Sequence, residues 1–197
     1  MPNFISEDAI EQAILKRLHE QLGYDLLNCY TSDADNLNDQ SRRSDKREVI
    51  LAERLKDAAL RLNPGIPEVA IDEALARLTD KRHAMSPIAA NREIDSLIRD
   101  GIPVEFDNNQ GKKEQERVKV IDFTTPANNR FLAVSQLWIK GERGYRRPDI
   151  LLYVNGIPLV FIELKNSNVK LRNAYDDNLT AYRKERPWSL PWTSLPP

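Results

Sequence analysis

Two apolar runs joined by an Asn-Gly pair limit the fold more than any other feature of the chain. Residues 149–154 read DILLYV and residues 157–164 read IPLVFIEL, with Asn155-Gly156 between them. Short runs rich in branched and aromatic residues, bounded by a turn dipeptide, are strands rather than helices. Since neither run alternates with polar residues, both are expected to be central strands buried on both faces. The predicted class is α/β, a mixed β-sheet flanked by helices. The longest apolar stretch, Ile150 to Ile162, is 13 residues and contains the turn, whereas a membrane span needs about 18.

Upstream, the pattern is helical. Ser6 is a candidate N-cap, Glu7 and Asp8 follow in the first turn, Ile10, Ile14, Leu18 and Leu22 recur every four residues, and Gly23 is a stop. Those apolar residues define the expected core face, with Glu7 and Glu11 on the other. The polar stretch Thr31 to Ser44 reads as a mobile loop. Helical spacing returns through Val49, Leu51, Leu55, Ala58, Ala59 and Leu62. Two more helices are expected, one from Pro67 with Ile71, Leu75 and Leu78, and one after Ser86 with Ile94, Leu97 and Ile98. Beyond Gly101 strands are expected at 102–106, 117–123 and 130–139. After Asn166 the helical period reappears and stops at Pro187, and the tail PWSLPWTSLPP is too proline-rich to continue any element.

With 41% hydrophobic and 30% charged residues over 197 positions, the composition is that of an ordinary globular chain and excludes disorder, collagen and repeat arrays. The single cysteine, Cys29, cannot form an internal disulfide, and the N-terminus lacks a basic region followed by an apolar run. A cytoplasmic location is expected. Residues 1–100 carry 14 Lys and Arg against 19 Asp and Glu, and residues 101–197 carry 15 against 11. Basic residues therefore concentrate in the second half, where Lys140, Arg143, Arg146 and Arg147 precede Asp149 in a glycine-containing segment. Four cations there suit an approaching phosphodiester backbone, or simply a solvated basic loop.

Charges at the ends of buried strands require an arrangement, because an unpaired buried carboxylate is expensive. Asp149 opens one strand, while Glu163 and Lys165 close the next. A structural ion pair is one solution. A divalent-metal site is the other, with Asp149 and Glu163 as hard oxygen ligands for Mg2+, the Leu164 carbonyl as a third, and Lys165 at the phosphate or the attacking water. The E-x-K spacing alone decides little, since about 0.8 chance occurrences are expected in such a chain. Register is more telling. A strict two-residue loop over Asn155-Gly156 sets Asp149 opposite Ile162, on the wrong face for Glu163. The metal reading therefore requires an irregularity: a three-residue turn with Gly156 in the left-handed region, or a β-bulge.

Assembled in this way, the sequence resembles the PD-(D/E)xK nuclease superfamily, and more closely the N-terminal endonuclease domain of type I restriction enzyme R subunits. The resemblance spans roughly residues 4–186. It rests on Glu11 in SEDAIEQAILKRLHEQLGY, on Asp149, Glu163 and Lys165 in RRPDILLYVNGIPLVFIELKN, and on AYDDNLTAYRKERP. It implies a restriction-endonuclease-like domain over 1–186 with a helical insertion at 47–100. It also implies Mg2+-dependent cleavage of double-stranded DNA, with Asp149, Glu163, Lys165, Glu11 and Tyr182 as catalytic residues. Tyr182 falls on the family's Q-x-x-x-Y motif, in which Asn178 stands where Gln is usual. Methyltransferase and specificity subunits are the implied partners. ATP-driven motor domains are not in this chain, which has no G-x-x-x-x-G-K-[ST] loop. In the family a further strand completes the sheet, so this sheet is expected to lack its last strand. The competing expectation is a catalytically inactive DNA-binding or subunit-docking module of the same fold.

Overall fold

A computed structural model describes residues 6–82, 84–108, 110–141 and 144–164. In chain order they form α1 (Glu7–Leu22), β1 (Asp25–Asn28), α2 (Ala52–Leu62), α3 (Glu68–Thr79), α4 (Pro87–Asp100), β2 (Ile102–Asp107), β3 (Lys113–Val118), β4 (Phe131–Ser135), β5 (Ile139–Gly141), β6 (Gly144–Arg146), β7 (Ile150–Val154) and β8 (Ile157–Ile162). The class is mixed α/β, as expected. Two compact units are present: the described residues up to Leu51 together with those from Phe131 onward, and Ala52–Arg130. The helix expected after Asn166 and the tail at 187–197 lie outside the described residues.

The first unit holds a four-stranded sheet in the order β1-β4-β7-β8. β1 runs parallel to β4, and the β4–β7 and β7–β8 pairs are antiparallel. A parallel pair needs a long crossover, and here residues 29–130, including the whole second unit, form it. α1 covers one face of the sheet, packing Leu15 and Leu18 on Ala133 and Ile150, with Ile14, Tyr24, Leu152 and Ile162 around them. The Ser6 hydroxyl accepts from the Ala9 N–H at 3.1 Å, and Gly23 ends the helix at φ 70°.

Several sequence expectations are corrected here. The buried residues of α1 are Glu11, Leu15 and Leu18, while Leu22 is 62% exposed. The core-facing stripe is thus rotated from the expected one, and Glu11 lies on the buried side. The run 130–139 is not one strand, because Gln136 takes a left-handed φ of 58° and ends β4. The strand expected at 117–123 stops at Val118, since the Lys119 backbone is hydrogen-bonded to Asn63 instead of a ladder partner. β8 is not buried on both faces: among the described residues it is an edge strand, with Leu159 and Val160 exposed.

Residues 29–51 are an ordered loop rather than the expected mobile one. Its ends are tied to the sheet, with Cys29 N–H donating to the Ser135 carbonyl and Leu51 N–H to the Gly156 carbonyl, both at 2.9 Å. At its centre Asp39 is 1% exposed. Its carboxylate accepts from Arg43 at 2.8 Å and from Lys46 at 2.7 Å. Burial raises the Asp39 pKa, but bonds from Lys46, Ser41 and Arg43 outweigh it and lower it to about 2.

In the second unit, α2 and α3 carry buried alanines (Ala58, Ala59, Ala70, Ala74) beside Leu55, Ile71 and Leu78. Small side chains at such positions permit close helix packing. β2 and β3 form an antiparallel hairpin. The buried Asn63 side chain donates to the Ala59 and Lys119 carbonyls at 2.7 and 2.8 Å and accepts from Lys119 N–H at 2.8 Å. Every polar atom of that amide group is thereby engaged.

Candidate active site

The β7–β8 connection is a two-residue turn, with Val154 paired to Ile157 and both Asn155 (φ 51°) and Gly156 (φ 82°) in the left-handed region. Positive φ at both central residues is the type I′ pattern favoured by Asn-Gly. The ladder is nevertheless irregular. Tyr153 pairs with Pro158 but Leu152 pairs with Val160, so Leu159 is an extra residue, a β-bulge. Past it, Leu151 pairs with Phe161 and Ile150 with Ile162. One step further along that register sets Asp149 opposite Glu163.

Directly opposite residues of an antiparallel pair share a face, with Cβ atoms about 4.5–5.5 Å apart. The pairing is reinforced at the strand end, where Leu164 N–H donates to Asp149 Oδ2 at 2.6 Å. Of the two irregularities that could restore parity, the structure uses the bulge and keeps the short turn. One carboxylate oxygen of Glu163, Oε2, is shielded from solvent.

On its other side Asp149 meets the end of β4. Ser135 pairs with Ile150, and the next residue continues the row, its Gln136 N–H donating to the Asp149 carbonyl at 3.1 Å. Gln136, Asp149 and Glu163 therefore stand side by side on three adjacent strand ends. The Gln136 amide donates in turn to Glu11 Oε2 at 2.6 Å. Glu11 is 6% exposed. Burial raises its pKa, the Gln136 bond lowers it, and the charges of Asp149 and Asp8 raise it again. A buried carboxyl pushed upward near a second carboxylate is a candidate for proton transfer.

The predicted cations separate into distinct environments. Arg147 is the one whose charge reaches Glu11. Its guanidinium lies over the Trp138 ring at 4.8 Å and the Tyr30 ring at 5.5 Å. Lys140, on β5, is 3.6 Å from Asp35 and over the Tyr145 ring at 5.1 Å. Arg146, on β6, donates to the Tyr145 carbonyl at 3.1 Å. Arg143, Lys165, Tyr182 and Asn178 lie outside the described residues. Gln136 is an amide inside an apolar run, a polarity that requires a partner without saying which. Trp138 and Tyr30 offered no such signal.

Donor chemistry suits a hard cation. Among the described residues no three His, Cys, Asp or Glu side chains close on one point. Asp149, Glu163 and the Leu164 carbonyl are the oxygen donors at this strand end that could hold such an ion, since Mg2+ keeps several of its waters and uses one or two carboxylates.

A family model described as the type I restriction enzyme R protein N terminus matches residues 4–192. The HindI type I restriction enzyme endonuclease subunit of Haemophilus influenzae is 39% identical over 163 residues, covering 82% of this chain and 15% of that relative. A putative type I restriction enzyme endonuclease subunit of Methanocaldococcus jannaschii, MjaIXP, is 30% identical over 182 residues, covering 89% of this chain and 17% of its own length. A Staphylococcus aureus relative named as an endonuclease subunit of the same enzyme type is 27% identical over 181 residues, covering 91% and 17%. The chain thus spans 15–17% of the length of these relatives. Among the described residues no helix is long and apolar enough to cross a membrane.

Proposed function

The chain belongs to the type I restriction enzyme R protein N-terminal family, and from that membership we propose that it is the DNA-cleaving portion of a restriction subunit, hydrolysing phosphodiesters of duplex DNA with Mg2+. The observation that carries this reading is the Leu159 bulge, which aligns Asp149 with Glu163 at the strand end.

In this reading Asp149, Glu163 and the Leu164 carbonyl would hold the ion. When bound, Mg2+ polarises a phosphoryl oxygen and acidifies a coordinated water. Lys165, two residues after Glu163 in the chain, would orient the attacking water, by resemblance. Glu11, held by Gln136 and with its pKa raised by burial, exchanges protons with water near Asp149. Tyr182 would assist, by resemblance. Arg147 faces the scissile phosphate, and Lys140, Arg143 and Arg146 contact the neighbouring backbone. The endonuclease domain is residues 1–186, with 47–100 as a helical insertion. It works in the cytoplasm with methyltransferase and specificity subunits and an ATP-driven motor elsewhere in the complex.

The test is cleavage of a supercoiled plasmid by the intact subunit in its complex. Asp149→Ala, Glu163→Gln and Lys165→Ala should each lower cleavage at least about a hundredfold while leaving DNA binding intact. Cleavage by Asp149→Ala at the parental rate would overturn the proposal, and a folded parent that binds DNA without cutting would favour the docking reading.

A further inference from the structure

The buried loop cluster and the aromatic pair around Arg147 are not used by the reading above, yet they form one connected structure. Arg147 stacks on two rings, with the Trp138 ring 4.8 Å from its guanidinium carbon and the Tyr30 ring 5.5 Å away. Trp138 is itself fixed at two points. Its indole N–H donates to the Thr31 carbonyl at 3.1 Å, and its own carbonyl accepts from Arg43 Nη2 at 3.0 Å. The same Arg43 nitrogen donates to the buried Asp39 at 2.8 Å, and Arg43 Nη1 donates to the Glu48 carbonyl at 3.0 Å. Lys46 completes the cluster on Asp39, and its carbonyl accepts from Lys140 N–H at 3.0 Å. Tyr30 and Thr31 belong to the start of this loop, so both rings over Arg147 are held by it.

We propose that Tyr30 and Trp138 are positioning residues for the restriction reaction: they fix the plane of the Arg147 guanidinium, two residues before Asp149, so that it meets a DNA phosphate next to the carboxylates. The physical reason lies in the guanidinium. Arginine delivers paired N–H donors to a phosphate only in its own plane, and stacking on aromatic faces sets that plane while leaving the edge donors available. A lysine carries the same charge without a plane to set. Tyr30, 60% exposed, supplies one ring from the start of the loop, and Trp138 supplies the other. The buried Asp39 cluster thereby gains a use beyond stability, since it holds the Trp138 backbone from which the stack is built.

This inference rests on the nuclease reading, and one experiment separates the two. The intact subunit in its complex is assayed for plasmid cleavage at saturating DNA, and for duplex binding by anisotropy across a salt series. The variants are Tyr30→Leu, Trp138→Leu, Arg147→Lys, Arg147→Ala and the pair Tyr30→Leu/Arg147→Ala, with Asp149→Ala as reference. Tyr30→Leu and Arg147→Lys should each slow cleavage about threefold to tenfold while leaving the salt slope of binding unchanged, because the charge is kept. Arg147→Ala should reduce that slope by about one. Tyr30→Leu should have no further effect once Arg147 is alanine, because it acts through that side chain. Should Trp138→Leu fail to fold, the Tyr30 cycle carries the test alone, Tyr30 being a surface residue. Equal effects of Tyr30→Leu in both backgrounds, or parental cleavage by Arg147→Lys, would overturn the inference. Cleavage that survives Asp149→Ala would instead overturn the nuclease reading beneath it.

Discussion

Replacing Asp39 by asparagine should be among the most damaging single changes in the first unit, although the residue sits in a stretch without regular secondary structure. The substitution keeps the shape and removes the charge that two buried cations share, with the Arg43 and Lys46 side chains only 1% and 3% exposed. An aspartate held at about 2 instead of 3.8 contributes about 2–3 kcal/mol of charge-dependent stability at neutral pH. Its folded pKa is depressed, so this stability is fully present above 3.8 and drains away as pH falls toward 2. The variant also leaves Arg43 and Lys46 facing each other without a counter-ion, which brings the expected loss to about 3–5 kcal/mol. In a chain of this size that lowers the melting temperature by about 6–20 °C. Urea unfolding at pH 7 should show the loss with an unchanged slope, and the gap between parent and variant should narrow at pH 3. Adding Lys46→Met to Asp39→Asn should restore at least about 1 kcal/mol. A loss below about 1 kcal/mol at pH 7, or a gap that widens in acid, would refute this account of the loop.

Further expectations concern the site and its scaffold. Glu11→Gln removes a carboxylate whose pKa burial raises. Because the native state disfavours its charge, the parent should gain stability as pH falls through the folded pKa, and the variant should be as stable or more so at pH 7 while cutting DNA more slowly, read by thermal melts beside a nicking assay. Tyr153→Phe deletes the 3.0 Å bond from the buried hydroxyl to the Val49 carbonyl and should lower unfolding free energy by about 1–2 kcal/mol in urea titrations. Gly156→Ala places a side chain at φ 82° in the hairpin turn and should destabilise by about 1–2 kcal/mol in the same assay.

Much of this was legible in the sequence where local chemistry decides the outcome. Ser6 and Gly23 bound α1, Ser86 and Pro87 open α4, and Asn155-Gly156 turns the hairpin because each needs only its neighbours to act. The need for an extra residue between Asp149 and Glu163 also followed from the period of two, but not its position at Leu159. What escaped was set by distant partners. Four-residue spacing on α1 fits two adjacent stripes almost equally, and the sheet selected Leu15 and Leu18, which brought Glu11 inward. The stretch from Thr31 to Ser44 looks like solvent-exposed loop by composition. Its order comes from ion pairs formed on folding and from anchors to Ser135, Trp138 and Gly156, which lie about a hundred residues away. Gln136 ends a strand inside an apolar run because its side chain reaches Glu11, 125 residues earlier.

The nuclease reading requires Asp149 and Glu163 to form one metal site. Calorimetric titration of Mg2+ into the intact subunit, repeated with Asp149→Ala and with Glu163→Gln, addresses it without relying on cleavage. Saturable binding by the parent, lost in both single variants, is the predicted result. Binding that survives unchanged in either variant would contradict the claim.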